Sequence, residues 1–158
     1  MDIEHFTSKS IAEKIDNMLV ENNYKVSKNP LLHPSIYKTK TRMQGYYLKQ
    51  RKTICGGVCF YVDEYNWVYV EDLFVASHLR GQGYGKKLMQ NVIEWARQNK
   101  CDGIRLETWD FQARPFYEKL GFVCYGQLEG HPRGQIENFM AWRNNEHIPV
   151  GRTLFTKK

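Results

Sequence analysis

The sequence predicts an α/β (α+β) layer domain with a mixed, mostly antiparallel central sheet flanked by helices. Three observations carry that reading. Runs rich in β-branched and aromatic residues follow one another from residue 46 to residue 75 with only short turns between them, as hairpin strands do. Two stretches, over 10–22 and 86–99, repeat apolar residues at helical spacing. Between the last of the hairpin strands and the second of these helices lies a glycine-rich turn, Arg80-Gly81-Gln82-Gly83-Tyr84-Gly85. At 158 residues the chain suffices for one domain with a real core.

Taken in order, Met1 to Phe6 reads as a short first strand. Ser10-Ile11-Ala12-Glu13 has the capping-box pattern, in which side chains satisfy the first free N–H groups. Ile11, Ile15, Met18 and Leu19 then recur at helical spacing, which predicts a helix over 10–22 stopped by Asn22-Asn23. Residues 27–34 are turn-rich, and the basic stretch 35–44 reads as a loop or short helix near the substrate entrance. Tyr46–Gln50 and Thr53–Val62 form a hairpin around Arg51-Lys52, with Gly56-Gly57 marking a bulge or a close backbone approach. Trp67–Val75 has the composition of a central strand.

Leu88, Val92, Trp95 and Ala96 give the second helix its apolar stripe. Ile104–Thr108 alternates like a strand, and Phe111–Leu120 reads as a short helix with Pro115 early and Gly121 at its end. Phe122–Leu128 and Ile136–Trp142 are two further strands joined by the loop Gly130–Gly134. The order is β-α-β-β-β-α-β-α-β-β, within a single domain over 1–143 and ahead of a polar tail over 144–158 that is expected to fray.

The formal net charge is +6 with a pI near 9.1, which favours anionic partners in general. The basic residues are scattered and carry none of the usual nucleic-acid-binding motifs, so no nucleic-acid partner is expected. No apolar run reaches the roughly 20 residues of a membrane span, and Met1-Asp2-Ile3-Glu4-His5 lacks the basic and apolar regions of a signal peptide. These features predict a cytoplasmic protein without a membrane partner, its four cysteines reduced. Cys55 and Cys59 are expected to share one strand face as small buried residues. Neither the cysteines nor the histidines show metal spacing, so no metal is expected. A homodimer is left open as the assembly.

The glycine turn is a natural anion site. The first N–H groups of a helix have no intrahelical partner, the helix dipole adds partial positive charge, and glycine permits close backbone approach. A P-loop would place its first glycine at Arg80 and a Ser or Thr at Lys87. A dinucleotide fingerprint would need glycine at Lys86. The pattern Arg-x-x-Gly-x-Gly fits Arg80-x-x-Gly83-x-Gly85 outright.

Here the chain resembles the GNAT superfamily of acetyl-CoA-dependent N-acetyltransferases. The resemblance rests on Ile54-Cys55-Gly56-Gly57-Val58, on Leu73-Phe74-Val75 leading into the glycine turn, on the helix that follows, and on Ala113-Arg114-Pro115-Phe116-Tyr117-Glu118-Lys119-Leu120-Gly121-Phe122. It covers nearly the whole chain and implies a GNAT-like mixed sheet. It implies that the acetyl-CoA pyrophosphate sits on the backbone of Gly81, Gln82, Gly83, Tyr84, Gly85 and Lys86, with Arg80 nearby. Leu73, Phe74 and Val75 would pair with the pantetheine arm like an added strand, and Phe116 would pack against the cofactor. Asp110 stands where the family often has Asn, a carboxylate without amide donors at a cofactor-binding position. Tyr117 matches the family's general-acid tyrosine.

The acceptor amine must lose a proton before it attacks. Glu71 and Asp72 are the candidate bases, expected to point to opposite sheet faces so that only one, Glu71 in preference, reaches the site. The implied activity is transfer of an acetyl group to a primary amine of a small molecule or peptide by direct attack in a ternary complex. The alternative is a non-catalytic acyl-CoA-binding regulatory module. Tyr46, Tyr47, Tyr65, Trp67, Tyr69 and Trp109 are candidates for the acceptor side. The basic charge argues against polycationic acceptors unless a local acidic patch exists.

Overall fold

The computed structural model describes residues 1–27, 43–63 and 65–145. The turns expected over 27–34 and most of the stretch 35–44 lie outside the described residues. Seven strands form one sheet: Asp2–Phe6 (β1), Gln44–Gln50 (β2), Thr53–Val62 (β3), Trp67–Val75 (β4), Gly103–Trp109 (β5), Val123–Glu129 (β6) and Ile136–Arg143 (β7). Among the described residues three α-helices accompany them: Lys9–Ser27 (α1), Tyr84–Gln98 (α2) and Arg114–Lys119 (α3). The spatial order is β1-β2-β3-β4-β5-β7-β6. Every neighbouring pair is antiparallel except β4 with β5. The element order and the mixed, mostly antiparallel sheet match the sequence expectation.

Alternation along β3 assigns the helices to their faces. Val58 and Phe60 join the cluster built on Leu88, Met89, Val92 and Ala96 of α2, with Val68, Val70, Ile104, Leu106 and Met140 from the neighbouring strands. Cys59, between them, turns to the other face and packs with Phe6, Met43 and Ala12 and Ile15 of α1. Gly57 faces the same way, and α1 lies directly on it: a Cβ there would sit 2.5 Å from Ile15 Cδ1 and 2.6 Å from the Tyr46 carbonyl oxygen. The close approach read from Gly56-Gly57 is present. Gly56 adds its own form of it, with φ +152 and a Cβ position 2.3 Å from the Phe74 carbonyl oxygen.

Two bulges interrupt the ladders. Leu48 pairs with Gly56 but Lys49 pairs with Ile54, so Cys55 is the extra residue in β3. Cys55 therefore joins the α2-side cluster while Cys59 joins the α1-side one. The expectation that the two cysteines share a face is corrected by this bulge. The second bulge is in β4, where Cys59 pairs with Asp72 and Phe60 with Val70, so Glu71 is the extra residue.

The helix ends also differ from the sequence reading. The first bond of α1 runs from Ala12 N to the Ser8 carbonyl, so Ser10 lies inside the first turn and does not cap it. Asn22-Asn23 does not stop α1, because buried Asn23 accepts a hydrogen bond from Gln112 Nε2 at 3.0 Å and the helix runs on to Ser27. Helix α3 is shorter than 111–120: Gln112 closes a turn on Trp109 and Thr108 instead of entering the helix. At the far end Asn144 is buried and donates from Nδ2 to the Cys101 carbonyl at 3.0 Å, so it belongs to the packed domain and not to a tail.

Gly57→Ala is expected to lower the unfolding free energy by ~1–3 kcal/mol through overpacking of α1 against β3, read by chemical denaturation.

Candidate active site

The site is built where two strands part. β4 and β5 pair from Trp67 with Gly103 to Val70 with Leu106, and no further. The bulged Glu71 comes next. Beyond it β4 stays with β3 as far as Val75, while β5 stays with β7 as far as Trp109 opposite Glu137. The widening gap is a cavity of about 520 Å³, walled by β4, β5, α1 and α3. The register sets which backbone groups face it. Ala76 N–H donates to the Cys55 carbonyl at 2.9 Å. Along an antiparallel ladder bonding groups alternate, so Phe74 turns its backbone polar groups to β3 while Leu73 and Val75 turn theirs to the opening.

Glu71, Asp72, Leu73, Phe74, Val75, Arg80 and Tyr117 all line this cavity. The expectation that only one of Glu71 and Asp72 reaches the site is corrected: the bulge at Glu71 breaks the alternation and both residues line the cavity. Asp72 is buried and Glu71 half-buried. Tyr117, from α3, is buried, and burial and then the nearby Asp72 charge push its phenol well above the ordinary range. The same forces raise the Cys59 thiol, first burial and then the charges of Asp72, Asp16 and Glu71. The phenol and thiol therefore stay protonated at neutral pH.

The glycine turn stands beside the cavity. Gly83, with φ +81, is the N-cap of α2, and Gly81 has φ +74. A Cβ at either would meet nothing within 4 Å, so the turn faces open space. Tyr84, Gly85 and Lys86 precede the first intrahelical bond, which runs from Lys87 N to the Gly83 carbonyl. Gln82 Nε2 holds the turn by donating to the His78 carbonyl at 3.0 Å. Lys86 and Lys87 are exposed at its rim. Phe116 packs under the start of α2, 3.6 Å from where a Gly85 Cβ would be.

Open space, unpaired N–H groups, the helix dipole and two lysines fit a phosphate-bearing group. The strand edge of Leu73 and Val75 fits an extended amide chain beside it. Arg80 is turned differently from the sequence reading. Its Nε donates to the Val75 carbonyl and its Nη2 to Asn22 Oδ1, both at 2.8 Å, so its side chain braces β4 against α1. Asp110 lies outside the cavity, exposed, accepting the Phe111 N–H at 3.1 Å.

Several cavity residues have no signal in the sequence. Asp16 and Asn23 come from α1, Glu107 from β5 and Glu137 from β7. Glu137 is buried and its Oε2 lies 2.8 Å from His131 Nδ1. Of the expected acceptor-side aromatics, Tyr69 and Trp109 line the cavity; Tyr46, Tyr47, Tyr65 and Trp67 do not. Phe111 joins them, stacked on Trp109 with ring centroids 5.6 Å apart. Among the described residues no group of three His, Cys, Asp or Glu side chains is arranged to hold a metal, and no helix is long and apolar enough to cross a membrane.

A sheet that splits beside a glycine-turn helix is the arrangement the resemblance implies, and comparison with known proteins shows the class. The model of the acetyltransferase (GNAT) family matches residues 13–122. Blasticidin-S acetyltransferase of Streptomyces morookaense is 33% identical over 97 residues, covering 61% of this chain and 71% of that protein. Other curated relatives are matched over only 56% and 51% of their length. A protein described as a streptothricin acetyltransferase from Bacillus anthracis str. Ames, solved with acetyl coenzyme A, superposes with a TM-score of 0.59 at 26% identity, over 70% of this chain and 67% of that one. An aminoglycoside 6'-N-acetyltransferase solved with coenzyme A shares the fold, with a TM-score of 0.69 at 15% identity over 96% of this chain and all of that one (100%). The chain belongs to the acetyltransferase (GNAT) family and is an enzyme of this acetyl-CoA-dependent class.

The raised Tyr117 and Cys59 groups set the alkaline behaviour. In the unfolded chain they ionise from their ordinary values of 10.0 and 9.0, while the folded chain holds the protons. Their contribution to stability is complete below pH ~9 and is lost as the pH rises further. Denaturation at neutral pH and above pH ~10 should show this loss, and Tyr117→Phe should make it smaller.

Proposed function

We propose that the chain transfers an acetyl group from acetyl-CoA to a primary amine of a small molecule or peptide, by direct attack within a ternary complex. The observation that carries this reading is the single cavity in which Glu71, Asp72 and Tyr117 meet the open edge of Leu73 and Val75. When bound, acetyl-CoA supplies an activated acetyl thioester. Residues Gly81 to Lys86 hold its pyrophosphate on their N–H groups, and the edge of Leu73 and Val75 aligns its pantetheine arm. An N–H from that edge also polarises the thioester carbonyl as charge builds on oxygen.

The remaining work is proton handling. A protonated amine has no free pair with which to attack, so Glu71 and Asp72 supply the base that removes its proton. The acceptor nitrogen then bonds to the acetyl carbon as the carbon–sulfur bond breaks. Tyr117 keeps its proton at neutral pH because its phenol is pushed up. It donates a hydrogen bond to the sulfur as negative charge develops there, then gives up a proton that is replaced from solvent. Similar proteins named for acetylation of blasticidin-S and streptothricin are in line with a small-molecule acceptor.

Tyr117→Phe should reduce kcat by about a hundredfold while acetyl-CoA affinity stays near that of the parent; unchanged turnover across the pH range removes Tyr117 from this role. Of Glu71→Gln and Asp72→Asn, the variant at the base should flatten the acid limb of the kcat/KM profile. Gly83→Val should weaken acetyl-CoA binding, because a β-branched residue resists φ +81 and its side chain fills the open cradle. Calorimetry with acetyl-CoA checks this, and normal affinity would refute the placement. Tight acetyl-CoA binding with no thiol release on any amine would instead favour the binding-module alternative.

A further inference from the structure

The chain as a whole is basic, at +6, yet the described lining of its cavity is rich in carboxylates. Asp16, Glu71, Asp72, Glu107 and Glu137 line it, and Arg80 is the one basic side chain among the described lining residues. That guanidinium is already committed to the Val75 carbonyl and to Asn22. An ammonium group entering this space meets carboxylate acceptors from several elements.

Glu137 gives this a definite address. It stands on β7 opposite Trp109 and is 8% exposed. One oxygen, Oε2, is held at 2.8 Å by Nδ1 of His131, whose side chain is 67% exposed on the loop before β7. The other oxygen, Oε1, has no hydrogen-bond partner among the described residues. A carboxylate this buried, oriented through one oxygen and open at the other, is matched by a positively charged donor. Beside it the stacked rings of Trp109 and Phe111 offer π faces that also favour a cation.

We infer that the acceptor is a dication: besides the amine that is acetylated it carries a second ammonium group, held by Glu137 and oriented there through His131. The inference rests on the acetyl-transfer reading of the same cavity and adds the substrate class. Glu71 and Asp72 serve the reacting nitrogen on β4, while Glu137 on β7 takes the charge that does not react. The local acidic patch that the overall charge gave no reason to expect is present.

The test uses the full chain loaded with coenzyme A. Calorimetric titration compares straight-chain diamines, from diaminopropane to diaminohexane, with the monoamine of equal length. At least one diamine should bind about tenfold more tightly than its monoamine, the size of one charge-assisted hydrogen bond. Glu137→Gln, which keeps size and the His131 contact, should bring the ratio close to parity, and His131→Ala should lower it in part. Equal affinity for every pair in the parent chain, or a full preference retained in Glu137→Gln, overturns the inference. Should Glu137→Gln not fold, His131→Ala on its exposed loop decides, and an undiminished ratio there overturns it. Thiol release with acetyl-CoA separates the two readings. Diamine preference in binding without release refutes acetyl transfer alone, whereas release from monoamines and diamines alike refutes the dication alone.

Discussion

β4 and β5 share hydrogen bonds over four residue pairs and then part, and nearly everything that works in this molecule is placed by where that pairing stops. The immediate cause is local. One extra residue in β4, Glu71, stretches the strand past its partner on β3 and breaks the period that would have kept it alongside β5. Past that point no strand among the described residues pairs with this edge of β4. Arg80 fastens that edge from its far end, tying the Val75 carbonyl to Asn22 on α1. The split is thus braced by α1 and closed over by Tyr117 from α3, so that it is a walled cavity and not a fraying sheet edge.

The two ends of this arrangement carry opposite fields. At the turn before α2, unpaired N–H groups, the helix dipole and the exposed Lys86 and Lys87 make the local potential positive. Inside, the wall is negative, and the same negative charge helps hold Tyr117 and Cys59 in their protonated forms. An anionic and a cationic ligand are therefore sorted to different sides of one strand by charge alone, before any shape is matched. Net charge summed over the chain hides this, because the scattered surface lysines and arginines outweigh the buried carboxylates.

Regular structure and the glycine turn were legible in the sequence because both depend on local pattern. The strand and helix order follows from periodicity, and Gly81 and Gly83 take the positive φ that the turn requires. What escaped was set by single insertions and by contacts between distant elements. Alternation places Cys55 with Cys59 and lets only one of Glu71 and Asp72 reach the site, and one bulged residue in each strand overturns those assignments. Asn23 reads as a helix stop, yet Gln112, eighty-nine positions away, satisfies its side chain and keeps it inside α1. Arg80 reads as a phosphate ligand, but its side chain has neutral acceptors on β4 and α1 within reach. The acidic wall is drawn from α1, β4, β5 and β7, so no spacing along the chain announces it.

The short seam between β4 and β5 also bears on how the chain finds its shape. The strands from β1 to β4 pair with sequence neighbours, and so do β6 and β7, whereas the four pairs joining β4 to β5 close a loop that includes the whole of α2. Few bonds stand against that loop's closure entropy, so the two ribbons are stitched mainly by the apolar stripe of α2, which touches strands on both sides. The gap that serves chemistry in the folded protein is, for the folding chain, a join that side chains must hold because the backbone does not.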